Sequence, residues 1–139
     1  MTANCACGHV EVTIERKPDF INDCDCGLCR KVGAAWGYFE IGAVTAKGET
    51  HSYTRDDKDE PSVQIHSCPH CGSTTHFTLT EACKKRDGVI DHVGVNMRLF
   101  DPNALSGVEV RYPSGAAWSG SGPFGYRRPS MIIGETQHW

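Results

Sequence analysis

A chain of 139 residues has the length of one ordinary domain and can bury a core without relying on metal. Its 17 acidic and 14 basic residues leave a formal charge of −3, which argues against a general nucleic-acid binder, because such proteins need a concentrated basic face. No apolar run approaches the roughly 20 residues of a membrane span. The first residues lack the basic and apolar regions of a signal peptide, so the expected location is cytoplasmic, where eight cysteines read as metal ligands rather than disulfides.

In chain order, Cys5, Cys7 and Gly8 lead into residues 10–14, whose apolar/polar alternation predicts a half-buried strand. Pro18 breaks it. Cys24, Cys26 and Cys29 then place three thiols within six positions, followed at once by Arg30 and Lys31. Thiols this close in sequence rarely reach disulfide geometry without strain. Zinc explains the crowding better, since it accepts thiolates at about 2.3 Å in a tetrahedron. Strands are predicted over 35–41, 49–54, 62–67, 74–80 and 89–97, the last being the longest alternating run and the expected central strand. Residues 55–61 form a solvated connector. Between the strands, Cys68, Cys71 and Gly72 make a C-x-x-C-G knuckle that points two sulfurs at one metal. One helical turn is expected at 102–105 and a short strand at 108–110. From about residue 112 the Gly, Pro and Ser content predicts an irregular arm lying on the body, mobile in its last few residues. With no internal repeat and no linker, 1–139 reads as a single domain. Many strand signals against no long helix make the class mainly β.

Seven cysteines divide as four plus three. The outer pairs, Cys5/Cys7 and Cys68/Cys71, can close one tetrahedral structural site, leaving Cys24, Cys26 and Cys29 as a site with an open fourth position. Two alternatives stay open. Cys83 folding back onto the triplet would close both sites, and Asp23 or Asp25 would serve as a fourth ligand. The histidines at 9, 51, 66, 70, 76, 92 and 138 show no metal-binding spacing. Trp36, Tyr38 and Phe39 read mainly as core, with a ligand cleft as the other use.

With these clusters in place the chain resembles the glutathione-dependent formaldehyde-activating family (Gfa/CENP-V-type domain). The matching pieces are Cys5-Ala-Cys7-Gly8, Cys24-Asp-Cys26-Gly-Leu-Cys29 and Cys68-Pro-His-Cys71-Gly72, in the family's order across about the first half of the chain. Asp25 stands where the family commonly has histidine. The resemblance implies an Mss4-like fold of several small coiled antiparallel β-sheets held by a structural zinc on Cys5, Cys7, Cys68 and Cys71. It also implies a second, labile zinc on Cys24, Cys26 and Cys29. These three would be the catalytic residues, with Arg30 and Lys31 contacting a glutathione carboxylate.

Three thiolates on Zn²⁺ make an electron-rich site, a weaker Lewis acid toward water than a three-histidine site and better suited to an exogenous thiol. The expected activity is therefore a carbon–sulfur lyase type, in which a thiol such as glutathione adds reversibly to formaldehyde or a related electrophile. The alternative is a non-catalytic zinc-binding module for protein partners, with nucleic-acid partners less favoured by the negative charge. Thiol redox chemistry at Cys68–Cys71 ranks last, because that motif wants a helix after it and a strand follows instead.

Overall fold

The computed structural model describes residues 1–88, 92–134 and 139. It holds two sheets. In the three-stranded one, β2 (Glu11–Ile14) lies between β1 (Thr2–Asn4) and β5 (Val44–Lys47). The eight-stranded one adds β3 (Phe20–Asn22), β4 (Trp36–Glu40), β6 (His51–Thr54), β7 (Val63–Ser67), β8 (Thr74–Leu79), β9 (His92–Asn96), β10 (Glu109–Arg111) and β11 (Met131–Ile132). Its order is β11-β10-β3-β4-β9-β8-β7-β6, antiparallel except for the parallel pair β10 and β3. The mainly β expectation holds, with a mixed rather than purely antiparallel large sheet.

The strands expected at 10–14, 35–41, 49–54, 62–67, 74–80 and 108–110 appear with ends moved by one or two residues. The run expected at 89–97 appears as β9 from His92; Val89, Ile90 and Asp91 lie outside the described residues. β9 pairs with β4 and β8, and Val93 through Asn96 are all buried, as a strand covered on both faces must be. The helical turn at Pro102–Leu105 is 3₁₀. The sequence reading did not reveal β1, β3, β5 and β11, which are two to four residues long.

Two short helices are additions to the sequence reading. α1 (Gly27–Val32) begins at the cysteine triplet, with Cys26 as N-cap and Gly33 closing it in the left-handed conformation at φ 64°. Leu28, Cys29 and Val32 lie on the face that packs against buried Trp36, Ile65 and Phe77. α2 (Glu81–Asp87) is capped by Thr80, whose hydroxyl accepts the Cys83 N–H, and it buries only Cys83.

The larger core gathers Val10, Val12, Ile14, Ile21, Val95, Met97, Leu105, Val110, Tyr112 and Ile133. Residues beyond 105 are thus part of it. The arm is more ordered than expected: Tyr112 is buried, Pro113 bridges Tyr126, and β11 pairs with β10. The expected mobility of the last residues concerns 135–138, which lie outside the described residues. Among the described residues no helix is long and apolar enough to cross a membrane.

Candidate metal centre and adjoining cavity

Strand β2 and the β7–β8 hairpin bring Cys5, Cys7, Cys68 and Cys71 together, with all four sulfurs within 4.8 Å of one another. Cys5 and Cys68 are buried, Cys7 and Cys71 exposed. Cys7 Sγ stands 3.6 Å from Cys5 Sγ and 3.7 Å from Cys68 Sγ. Thiolates at 2.3 Å from a tetrahedral zinc stand about 3.8 Å apart, so the spacing fits that ion. The Val10 N–H donates to Cys5 Sγ at 3.1 Å and the Ser73 hydroxyl lies 3.2 Å from Cys71 Sγ. The Ser73 hydroxyl and N–H hold Cys71 down to about 5. At Cys7 the His9 N–H favours the thiolate, yet partial desolvation beside the Cys5, Cys68 and Cys71 sulfurs, and those sulfurs themselves, push it up to about 12.

The triplet forms a separate set, also within 4.8 Å. It follows β3, enters α1 through its N-cap and is half-buried throughout. Each sulfur accepts one N–H: Cys24 from Cys26 at 3.4 Å, Cys26 from Cys29 at 3.4 Å, and Cys29 from the Trp36 indole at 3.3 Å. Such bonds favour the ionised form. Hydrogen bonds from Cys24 and Cys29, with the Cys29 and Leu28 N–H groups, hold Cys26 down to about 2 against the burial that opposes ionisation. The Cys24 and Cys26 sulfurs correspondingly push Cys29 up. Both donor sets, all sulfur and close enough to share one ion, suit zinc.

The two alternatives for a fourth ligand fall on geometry. Cys83 is buried on α2, bonded to Asp87 and Arg86, and belongs to neither set. Asp23 is committed to two guanidiniums, Arg98 at 2.9 Å and Arg127 at 3.1 Å. Asp25 Oδ1 accepts the Ala116 N–H at 3.0 Å, so this departure from the family's usual histidine anchors the arm.

A cavity opens beside the triplet, lined by Cys24, Cys29, Arg30, Arg98, Arg127 and the two aspartates. Of the predicted pair, Arg30 faces it, whereas Lys31 is exposed elsewhere. Arg98 and Arg127 were not found from sequence. Nothing in their local pattern marks them, and Arg127 comes from 104 residues beyond Asp23. The arm also touches the triplet: a Cβ on Gly115 would collide with Cys24 Sγ and stand 3.0 Å from Cys26 Cβ. Trp36 is both core and sulfur partner, and Phe39 is core. Tyr38, bonded by Asn22 at 3.2 Å, is pushed up to about 12 by burial and by the triplet sulfurs, so it keeps its proton at neutral pH.

No curated protein matches the chain. A Rhodobacter sphaeroides protein of known crystal structure is similar in fold, at 23% identity and TM-score 0.56, over 73% of this chain and 88% of that one. The family model described as glutathione-dependent formaldehyde-activating enzyme matches residues 1–105, a span containing both sulfur sets. The chain belongs to that family.

Proposed function

We propose that the protein catalyses reversible addition of a thiol, glutathione or a relative, to formaldehyde or a similar small electrophile. One observation carries the reading: seven cysteines separate into a four-sulfur set and a three-sulfur set, and two sulfurs of the latter line a cavity. The four-sulfur set would hold a structural zinc. Cys24, Cys26 and Cys29 would hold the second ion, with its remaining position facing the cavity.

Zinc bound there would supply the charge that lowers an incoming thiol's pKa. The chain does the rest. The three N–H donors to sulfur fix the geometry of the triplet, and at Cys26 they favour the thiolate. Arg30 offers a charge for a substrate carboxylate, and among the described residues it makes no ion pair. In the reaction, the thiolate sulfur bonds to the carbonyl carbon and the carbon–oxygen π pair moves onto oxygen. The proton lost by the thiol ends on that oxygen. No oxidant is consumed, and reversal releases both reactants.

The test is adduct formation followed by NMR, with ¹³C-formaldehyde and glutathione added to zinc-loaded protein. Acceleration over buffer is expected; a rate equal to buffer removes the reading.

A further inference from the structure

The two turns that carry the four-sulfur set are held in the same way. In residues 5–9 the Gly8 N–H donates to Cys5 O at 2.9 Å and the Cys5 N–H to Val10 O at 2.8 Å. In residues 68–72 the Gly72 N–H donates to Cys68 O and the Cys68 N–H to Ser73 O, both at 2.9 Å. The Ala6 N–H, donating to the Ser73 hydroxyl at 3.2 Å, ties one turn to the other.

Each turn carries one histidine: His9 directly after Gly8, and His70 between the two cysteines. Too distant in sequence to show a ligand spacing, they meet in the fold with ring centroids 4.2 Å apart, edge to face. Both residues are exposed, as are Cys7 and Cys71, the cysteines nearest to them in sequence. Cys5 and Cys68 are buried in the core, so an ion reaches the four sulfurs from the side of Cys7 and Cys71.

A second histidine pair shows what sets this one apart. His66 and His76 also stack, at 4.4 Å, but threonine hydroxyls engage their ring nitrogens: Thr50 and Thr78 at His66, Thr75 at His76. Among the described residues no protein hydrogen bond engages the ring nitrogens of His9 or His70, which leaves them open to a ligand. Imidazole is a good ligand for zinc, nickel and copper. Two nitrogens sharing one cation at about 2.1 Å stand about 3 Å apart, which small side-chain rotations reach from the observed contact.

We propose that His9 and His70 form a further metal site, an exposed two-imidazole station for a divalent transition cation, from which zinc passes to the four-sulfur set. Water fills the remaining positions of the ion. In the transfer, imidazole nitrogens and waters leave the ion as cysteine sulfurs replace them, and the thiol protons go to solvent. Holding the ion beside the exposed sulfurs raises its effective concentration there. The site stands apart from the thiol-addition reading, since it serves the other sulfur set and involves neither the triplet nor its cavity.

The test uses the untagged full chain with zinc in both sulfur sets, titrated with Ni²⁺ and followed by NMR. The paramagnetic ion broadens the His9 and His70 ring signals together, at a concentration about tenfold or more below that affecting His51, an exposed histidine outside the pair. His9→Gln and His70→Gln each raise the threshold at the remaining ring to that of His51. A second measurement follows ¹¹³Cd²⁺ as it replaces zinc, because its chemical shift distinguishes four-sulfur from three-sulfur coordination. Both variants slow its entry into the four-sulfur set about tenfold, leaving the final occupancy and the rate at Cys24, Cys26 and Cys29 unchanged. Should a variant fail to fold, the wild-type broadening still decides. Broadening of His9 and His70 no earlier than His51 overturns the proposal, as does an unmoved threshold in a folded variant. A moved threshold with unchanged ¹¹³Cd²⁺ entry, or equal slowing at both sulfur sets, overturns the transfer and leaves the two-imidazole site standing.

Discussion

Cys26 combines two duties that are usually separate. Its sulfur belongs to the triplet and also caps α1 by accepting the Cys29 N–H. Serine is among the best capping residues, so Cys26→Ser should leave α1 intact while removing one metal ligand. Elemental analysis should find zinc falling from two per chain to one, with the four-sulfur set still loaded; loss of both ions would refute the assignment. The spacing of the cysteines was legible because local chemistry demands it: three thiols in six residues have few other uses. Arg98 and Arg127 were illegible for the opposite reason, since only the completed fold brings them to Asp23. Lys31 shows the limit of adjacency, for one residue along α1 turns a side chain away from the cavity that Arg30 faces.

At the scale of elements, the sequence pattern located β2, β4, β6, β7, β8, β9 and β10 and missed β1, β3, β5 and β11, all of four residues or fewer. It also missed α1 and α2, whose signals were capping residues rather than periodicity: Cys26 and Gly33 for one, Thr80 for the other. Strand β9 passes Phe77 of β8 so closely that a Cβ on Gly94 would overlap the ring. Gly94→Ala should cost about 1–3 kcal/mol by overpacking, read from denaturant melts. The arm gives a second prediction. In Gly115→Ala the added methyl presses on Cys24 Sγ and lifts the arm. Hydrogen exchange at the Ala116 N–H, now bonded to Asp25, should quicken while amides of β8 and β9 stay protected.

Across the whole molecule, the four-sulfur set joins the N-terminal strands to the β7–β8 hairpin, with Cys68 lying 61 positions beyond Cys7. A metal there acts as a cross-link on a long loop, and its withdrawal by a strong chelator should lower the melting temperature. A mild chelator, taking only the triplet's ion, should leave it nearly unchanged. Acid should act through His76 as well. This ring is buried and stacked on His66 at 4.4 Å, and burial followed by the His66 charge brings it down to about 4. Its folded pKa lies below the unfolded 6.5, so the unfolded chain binds the extra proton. The contribution is complete above about 6.5 and is lost as pH falls toward 4, roughly 3 kcal/mol in full. Melts of His76→Gln against wild type between pH 7 and 4 should converge as the pH drops.

The parallel pairing of β10 with β3 sets a late segment of the chain beside the residues that lead into the triplet. Both sulfur sets are complete by residue 71 of the chain. Arg127, which lines the cavity beside the second set, follows β10 and comes more than fifty residues later. A chain cut before Ser114 would therefore carry both sulfur sets without the segment that lies against Cys24 and Asp25.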